Sequence, residues 1–151
     1  MELYQELRAL VRALDDAEVD YALCGGLALA VHGLPRATRD IDLLALPADL
    51  DRIREIARRR GFTIEALPMT FSSSGLSVQR FSKLGGSEPL MLDILLVNES
   101  LEPVWNARTR VAYEDGSVSV VSRRGLITLK LSAGRPQDLV DIQQLEELGE
   151  D

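Results

Sequence analysis

The chain has 151 residues and 46% hydrophobic composition, enough for one domain with its own core and too apolar for a disordered tail. With 17 basic against 24 acidic side chains the net charge is −7, which speaks against a protein that wraps a long nucleic acid. A single cysteine, Cys24, and a single histidine, His32, exclude a disulfide framework, a zinc cluster and a histidine-rich metal site. No apolar run approaches the ~20 residues of a membrane span, so no membrane association and a reducing cytoplasm are expected.

Leu3, Leu7, Leu10, Val11 and Leu14 recur at helical spacing and predict an amphipathic helix over 2–17. Val19–Cys24 reads as a short strand ending at Gly25-Gly26, and Leu27–His32 as a short helix stopped by Gly33 and Pro35. Asp40–Leu46 reads as a strand. Pro47 opens a second amphipathic helix that turns Leu50, Ile53, Ile56 and Ala57 inward and ends at Gly61. Phe62–Ala66 is a short strand, and Leu67–Gly75, with Pro68 and three serines, reads as a loop. Leu76–Ser82 and Leu90–Val97 are two strands joined by a hairpin-like connection over Lys83–Pro89. Glu99–Ala107 should be helical, and Arg110–Tyr113 and Ser117–Ser122 flank a turn at Glu114-Asp115-Gly116. Arg124–Leu131 and Pro136–Leu148 read as two helices separated by Ser132-Ala133-Gly134. There is no internal repeat or linker, so residues 1–151 are expected to form a single domain. Helices and hairpins without regular βαβ alternation predict a mixed sheet, in an α/β (α+β) fold with helices on its flanks.

The residues with the most chemistry are three aspartates. Asp40 and Asp42 lie 14 and 16 residues after Gly26, two apart on one predicted strand, and so share a face. Asp93 stands alone in the apolar run Leu90–Val97. If the two strands are neighbours, the three carboxylates converge. Their repulsion then needs compensation, and a hard divalent cation with oxygen ligands supplies it. Taken singly, each has a plainer reading: Asp-x-Asp as a solvent-facing strand, Asp93 as half of a salt bridge. Gly25-Gly26, between strand and helix, permits the close backbone approach of a phosphate cradle, or marks a simple tight turn. Only two of the 17 cations are lysines, Lys83 and Lys130. Lys130 closes an otherwise apolar helix, where it either answers the helix dipole or reaches a triphosphate. Asp138 fits the first turn of the last helix, with Asp141 one turn on and Lys130 or Arg135 as partners. His32 reads as a packing or hydrogen-bonding residue, and Cys24 as a small buried hydrophobe.

The joint pattern of Gly25-Gly26, Asp40-Ile41-Asp42 and Asp93 resembles the nucleotidyltransferase superfamily, whose fold is that of the DNA polymerase beta-type catalytic domain. The tail Leu129–Ile142, with Lys130, Arg135, Asp138 and Asp141, is similar to that of small bacterial members, including the AbiEii-like toxin group. The resemblance covers residues 19 to 145. It implies a mixed sheet closed by C-terminal helices, and transfer of a nucleoside monophosphate from an NTP such as ATP to an acceptor hydroxyl. It also implies a dependence on Mg²⁺ or Mn²⁺. Asp40, Asp42 and Asp93 are the implied catalytic and metal residues, with Asp93 helping to hold a second metal and to activate the acceptor. Gly25, Gly26, Arg39 and Lys130 are the implied nucleotide contacts. The acceptor is RNA, protein or a small molecule, with loops 67–75 and 83–89 as its expected contacts. A cognate toxin or antitoxin protein, or a second copy of the chain, is the implied partner. An alternative implied role is that of a catalytically silent member acting by protein binding. Gly26 departs from the serine that many members carry there, so it can serve a phosphate only through its backbone amide.

Overall fold

In the computed structural model, which describes residues 2–35, 37–72, 74–86, 88–114, 116–133 and 135–149, the first helix, α1, spans Leu3–Asp16. Glu2 caps it, its carboxylate accepting from the Tyr4 and Gln5 amides at 2.8 and 3.0 Å, and Leu7, Leu10, Val11 and Leu14 form its buried stripe. The strand that follows, β1, is only Ala22–Cys24. It starts later than expected because the chain is still closing α1: Glu18 takes φ 56°, and the Val19 amide donates back to Leu14 O at 2.9 Å.

Helix α2, Gly25–Val31, begins directly on the glycine pair with no intervening turn. Strand β2 is Asp40–Ala45. A 3₁₀ turn over Pro47–Asp49 leads into α3, Leu50–Arg59, which buries Ile53 and Ala57. Phe62 does not enter the next strand. Its amide closes α3 on Ala57 O at 2.9 Å and its ring is fully buried, leaving β3 as Ile64–Glu65. The segment expected to be a loop contains a two-residue strand, β4, Met69–Thr70, which pairs with β5. Strands β5, Ser77–Lys83, and β6, Leu90–Leu96, form the expected hairpin. A 3₁₀ turn, Glu99–Leu101, capped by Asn98 on the Leu101 amide, precedes α4, Glu102–Asn106. The β7–β8 hairpin, Thr109–Tyr113 and Gly116–Val120, and helices α5, Arg123–Ala133, and α6, Pro136–Glu147, complete the described residues. Ser73, Ser87, Asp115 and Gly134, which the loop and turn expectations included, lie outside the described residues.

The strands form one mixed sheet in the order β3-β5-β6-β2-β1-β8-β7, with β4 on β5. Pairs β2–β6 and β1–β8 are parallel and the others antiparallel. The central strands place Ile41, Leu43, Leu92, Ile94, Leu23 and Phe81 in a core where each is at most 1% exposed. Hydrophobic burial of this kind fixes register, because a slip of one residue would turn the whole apolar row to the other face. That fixed register positions the aspartates.

Candidate active site

The expected neighbouring strands do pair: β2 runs parallel to β6 with Asp42 opposite Asp93 and Asp40 opposite Met91. Cys24 of β1 stands opposite Asp42 on the other side, and Arg80 of β5 stands opposite Asp93. Opposed residues project to the same face. One cross-strand row therefore reads Arg80, Asp93, Asp42, Cys24, with Asp40 two residues from Asp42 on the same face.

Arg80 grips Asp93 with both ends of its fork, Nε to Oδ1 at 2.7 Å and Nη2 to Oδ2 at 2.8 Å. This contact raises the guanidinium further above its already high range, so Arg80 is a permanent cation in the row. Among the described residues, Asp42 has no such partner. Burial, then the charges of Asp93 and Asp40, push its carboxyl up to about 7. Asp40 is raised for the same reasons, burial first and Asp93 second. Cys24 is fully buried and its thiol is raised well above its usual range, first by desolvation and then by Asp42 and Asp93, which suits the small buried hydrophobe expected there.

The row opens into a cavity of about 430 Å³. Its polar end carries Gly25, Asp42, Asp93, Arg80 and Lys130. Met69 and Phe71 from β4 and its end, with Leu76 and Val78 at the start of β5, supply apolar lining. The expected acceptor loop 67–75 thus contributes to the cavity, whereas none of the described residues of 83–89 lines it.

Gly25 has φ +68°, and a Cβ there would lie 2.1 Å from Asp42 Oδ2. Only glycine lets the start of α2 pass against this carboxylate. Gly25→Ala should therefore cost roughly 1–3 kcal/mol of stability and displace Asp42. A urea unfolding series would show the lower midpoint, and an unchanged midpoint would contradict the close approach. Gly26 faces Thr38, whose Cβ is 3.2 Å from a Cβ built at 26, and the Thr38 hydroxyl accepts from the Asp40 amide at 3.2 Å. Thr38 thereby ties the glycine pair to the first aspartate.

Lys130 reaches the cavity with 15% of its side chain exposed, held between Asp138 at 3.2 Å and Asp141 at 2.9 Å. Asp138 is fully buried and also accepts from Arg135 Nε at 2.8 Å, Nη2 at 3.1 Å and the backbone amide at 3.0 Å. The Arg135 contact, followed by the Lys130 ion pair, lowers its carboxyl to about 2. The expected pairing of these carboxylates with Lys130 and Arg135 is thus present. Arg39 is elsewhere: its Nε meets Glu88 at 2.7 Å on the exposed surface, and it does not line the cavity. His32 Nε2 lies 2.9 Å from Val121 O, a structural tie from the end of α2 to the end of β8.

Arg80 is the site residue that the sequence reading missed. A signal existed. Once Lys83 pairs with Leu90 across the hairpin, three steps back and three steps on place Arg80 against Asp93.

Residues 8–151 match a protein-family model described as nucleotidyl transferase AbiEii toxin, type IV TA system. A comparison with curated proteins gives no match. Among solved structures, TM1012 of Thermotoga maritima, a candidate nucleotidyltransferase, superposes with TM-score 0.66 at 15% identity, covering 95% of this chain and 92% of that one. The antibiotic-resistance factor ANT(2'')-Ia superposes with TM-score 0.64 at 14% identity over 96% and 83%. The same factor in complex with adenylyl-2''-tobramycin gives 0.60 at 15% over 94% and 87%. JHP933 of Helicobacter pylori gives 0.53 at 20% over 96% and 65%. At these identities the likeness establishes the fold, and it agrees with the expected mixed sheet flanked by helices.

Proposed function

Given that the chain belongs to the AbiEii nucleotidyltransferase family, we propose that it transfers a nucleoside monophosphate from a Mg²⁺-bound NTP to an acceptor hydroxyl at the cavity lined by Asp42, Asp93 and Lys130. The observation that carries this reading is the cross-strand row. It concentrates carboxylate charge at one end of a cavity and leaves Asp42, pushed up to about 7, short of a cation.

The donor set fits a hard divalent ion. Asp40 and Asp42 offer only carboxylate oxygens, on one face of one strand. Among the described residues no three His, Cys, Asp or Glu side chains form a ready-made metal cage. Mg²⁺ usually takes one or two carboxylates and completes its shell with substrate phosphates and water. A bound Mg²⁺ supplies stabilisation of the charge that builds on the transferring phosphoryl group and the leaving pyrophosphate.

The chain's own residues do the rest. Asp40 and Asp42 hold the cation against the triphosphate. The α2 start at Gly25-Gly26 lets the phosphates approach its backbone, and Lys130, oriented by Asp138 and Asp141, adds fixed positive charge. Arg39 can contribute only by leaving Glu88. Asp93 lies beside the reacting centre, where it can accept the proton of the acceptor hydroxyl. The acceptor oxygen then bonds to the α-phosphorus as the bond to the β-phosphate oxygen breaks and pyrophosphate leaves. Met69, Phe71 and Leu76 offer an apolar seat for the base or the acceptor.

The acceptor classes are RNA, protein and small molecules. The adenylyl-tobramycin held by ANT(2'')-Ia makes an aminoglycoside one probe worth including. The toxin–antitoxin description of the family makes a cognate partner protein, or a second copy of the chain, part of the same proposal. The test offers each α-³²P-labelled NTP with Mg²⁺ to RNA, to a protein fraction and to aminoglycosides. Label should pass to one acceptor class with release of pyrophosphate, and EDTA should stop it. Transfer that persists in EDTA would contradict the metal assignment.

A further inference from the structure

Asp93 carries a partner that a metal ligand would not be expected to keep. Both of its oxygens are occupied by the Arg80 fork, at 2.7 and 2.8 Å, and only 10% of its side chain is exposed. Arg80 lines the same cavity, is 38% exposed, and occupies the place in the cross-strand row on the far side of Asp93 from Asp42. Two parallel N–H···O bonds in one plane fix the orientation of a carboxylate as well as its charge partner. Among the described residues, Asp42, one strand over, has no comparable cation against it.

Resting on the nucleotidyl-transfer reading above, we propose that Arg80 is a positioning residue standing where a second cation would otherwise sit: it engages both Asp93 oxygens and leaves a single divalent ion to Asp40 and Asp42. The charge balance of the row and Asp40 agrees, Lys130 and Arg135 being answered by Asp138 and Asp141. Three carboxylates and one guanidinium leave two negative charges, which one divalent ion neutralises. Asp93 is thereby reserved for the acceptor, since each carboxylate oxygen engaged by Arg80 still has a lone pair to offer a hydroxyl proton. The guanidinium holds that carboxylate in one rotamer beside the reacting phosphorus.

The test counts Mn²⁺ bound per chain, using the electron paramagnetic resonance signal of the free aqueous ion with Mn²⁺ alone as the probe. The wild type should bind one ion. Arg80→Met releases both Asp93 oxygens and should bind two. The double variant Arg80→Met/Asp93→Asn removes the pair without changing net charge and should again bind one, with affinity within about threefold of wild type. Exchanging both members of an ion pair for neutral groups of similar volume is commonly well tolerated, so the double variant carries the test if Arg80→Met alone does not fold. Two ions in the wild type, one ion in a folded Arg80→Met, or more than about tenfold weaker binding in the double variant would each overturn the proposal while leaving the transfer reading intact. No Mn²⁺ binding by the wild type, with Asp42→Asn indistinguishable from it, would sink the metal reading itself and this inference with it.

Discussion

Asp42→Asn should abolish nucleotidyl transfer and at the same time make the folded chain harder to unfold at pH 8. The loss of activity follows from removing the oxygen pair best placed to hold a cation. Deleting one preorganised electrostatic group costs about 10²–10³ in rate, and loss of the ion itself would add to that. The gain in stability follows from linkage. Folding raises the Asp42 carboxyl to about 7, above its unfolded value near ~3.9. Between those values the folded state holds a proton that the unfolded state has released. Stability therefore falls as pH rises from about 4 to about 7, and the full cost remains above that. Asparagine has no charge to bury. Its advantage should be close to zero at pH 4 and level off above pH 7, at up to about 4 kcal/mol. Urea unfolding of wild type and variant at pH 5 and pH 8.5 checks this. An advantage that is absent, or larger at the lower pH, would mean that Asp42 is not in a repulsive, desolvated position.

Asp138→Ala should cause the largest loss of stability, about 3 kcal/mol. Asp138 is fully buried and joins α5 to α6 through Lys130 and Arg135, while its Oδ2 accepts from the Arg135 amide at the start of α6. Truncation removes the cap and leaves Lys130 to Asp141 alone among its identified ion partners. The pH dependence has the opposite sign to that of Asp42. Folding lowers the Asp138 carboxyl to about 2, so its contribution is fully present above the unfolded value near ~3.9 and is lost as pH falls through 2. That contribution is on the order of 2 kcal/mol, so the gap between wild type and variant should narrow in denaturation run at pH 2 relative to pH 7. Because Lys130 borders the cavity, the variant should also bind triphosphate more weakly. Wild-type stability in Asp138→Ala would show that the α5–α6 ion cluster contributes little.

The three aspartates of the site also show what a sequence discloses and what it withholds. Asp40 and Asp42 were legible because a period of two puts them on one face, and Asp93 because a lone carboxylate among seven apolar neighbours demands a reason. Their convergence depended on β2 pairing with β6 in parallel, a contact across a third of the chain that no local pattern encodes. Arg80 was passed over because Val78-Gln79-Arg80-Phe81 looks like any alternating strand, and its role appears only through the hairpin register. Strand β4 was hidden for a different reason. Met69-Thr70 lies between Pro68 and a serine run, and its two residues are recruited by the edge of β5 rather than by their own propensity. The helix start at Gly25 was misplaced by two residues because glycine usually ends or interrupts helices. Here the packing of Asp42 against its missing Cβ outweighs that preference.

The most direct test of the central claim is calorimetric titration with a non-hydrolysable α,β-methylene NTP, using each of the four bases, in Mg²⁺ and again in EDTA. At least one should bind the wild type in Mg²⁺. Its binding should weaken by tenfold or more in EDTA and to a similar degree in Asp42→Asn, because both changes remove the same cation-held contact. Binding that is equal in Mg²⁺ and EDTA and unchanged by Asp42→Asn, or no binding of any of the four, would contradict the assignment of this cavity as a metal-dependent nucleotide site.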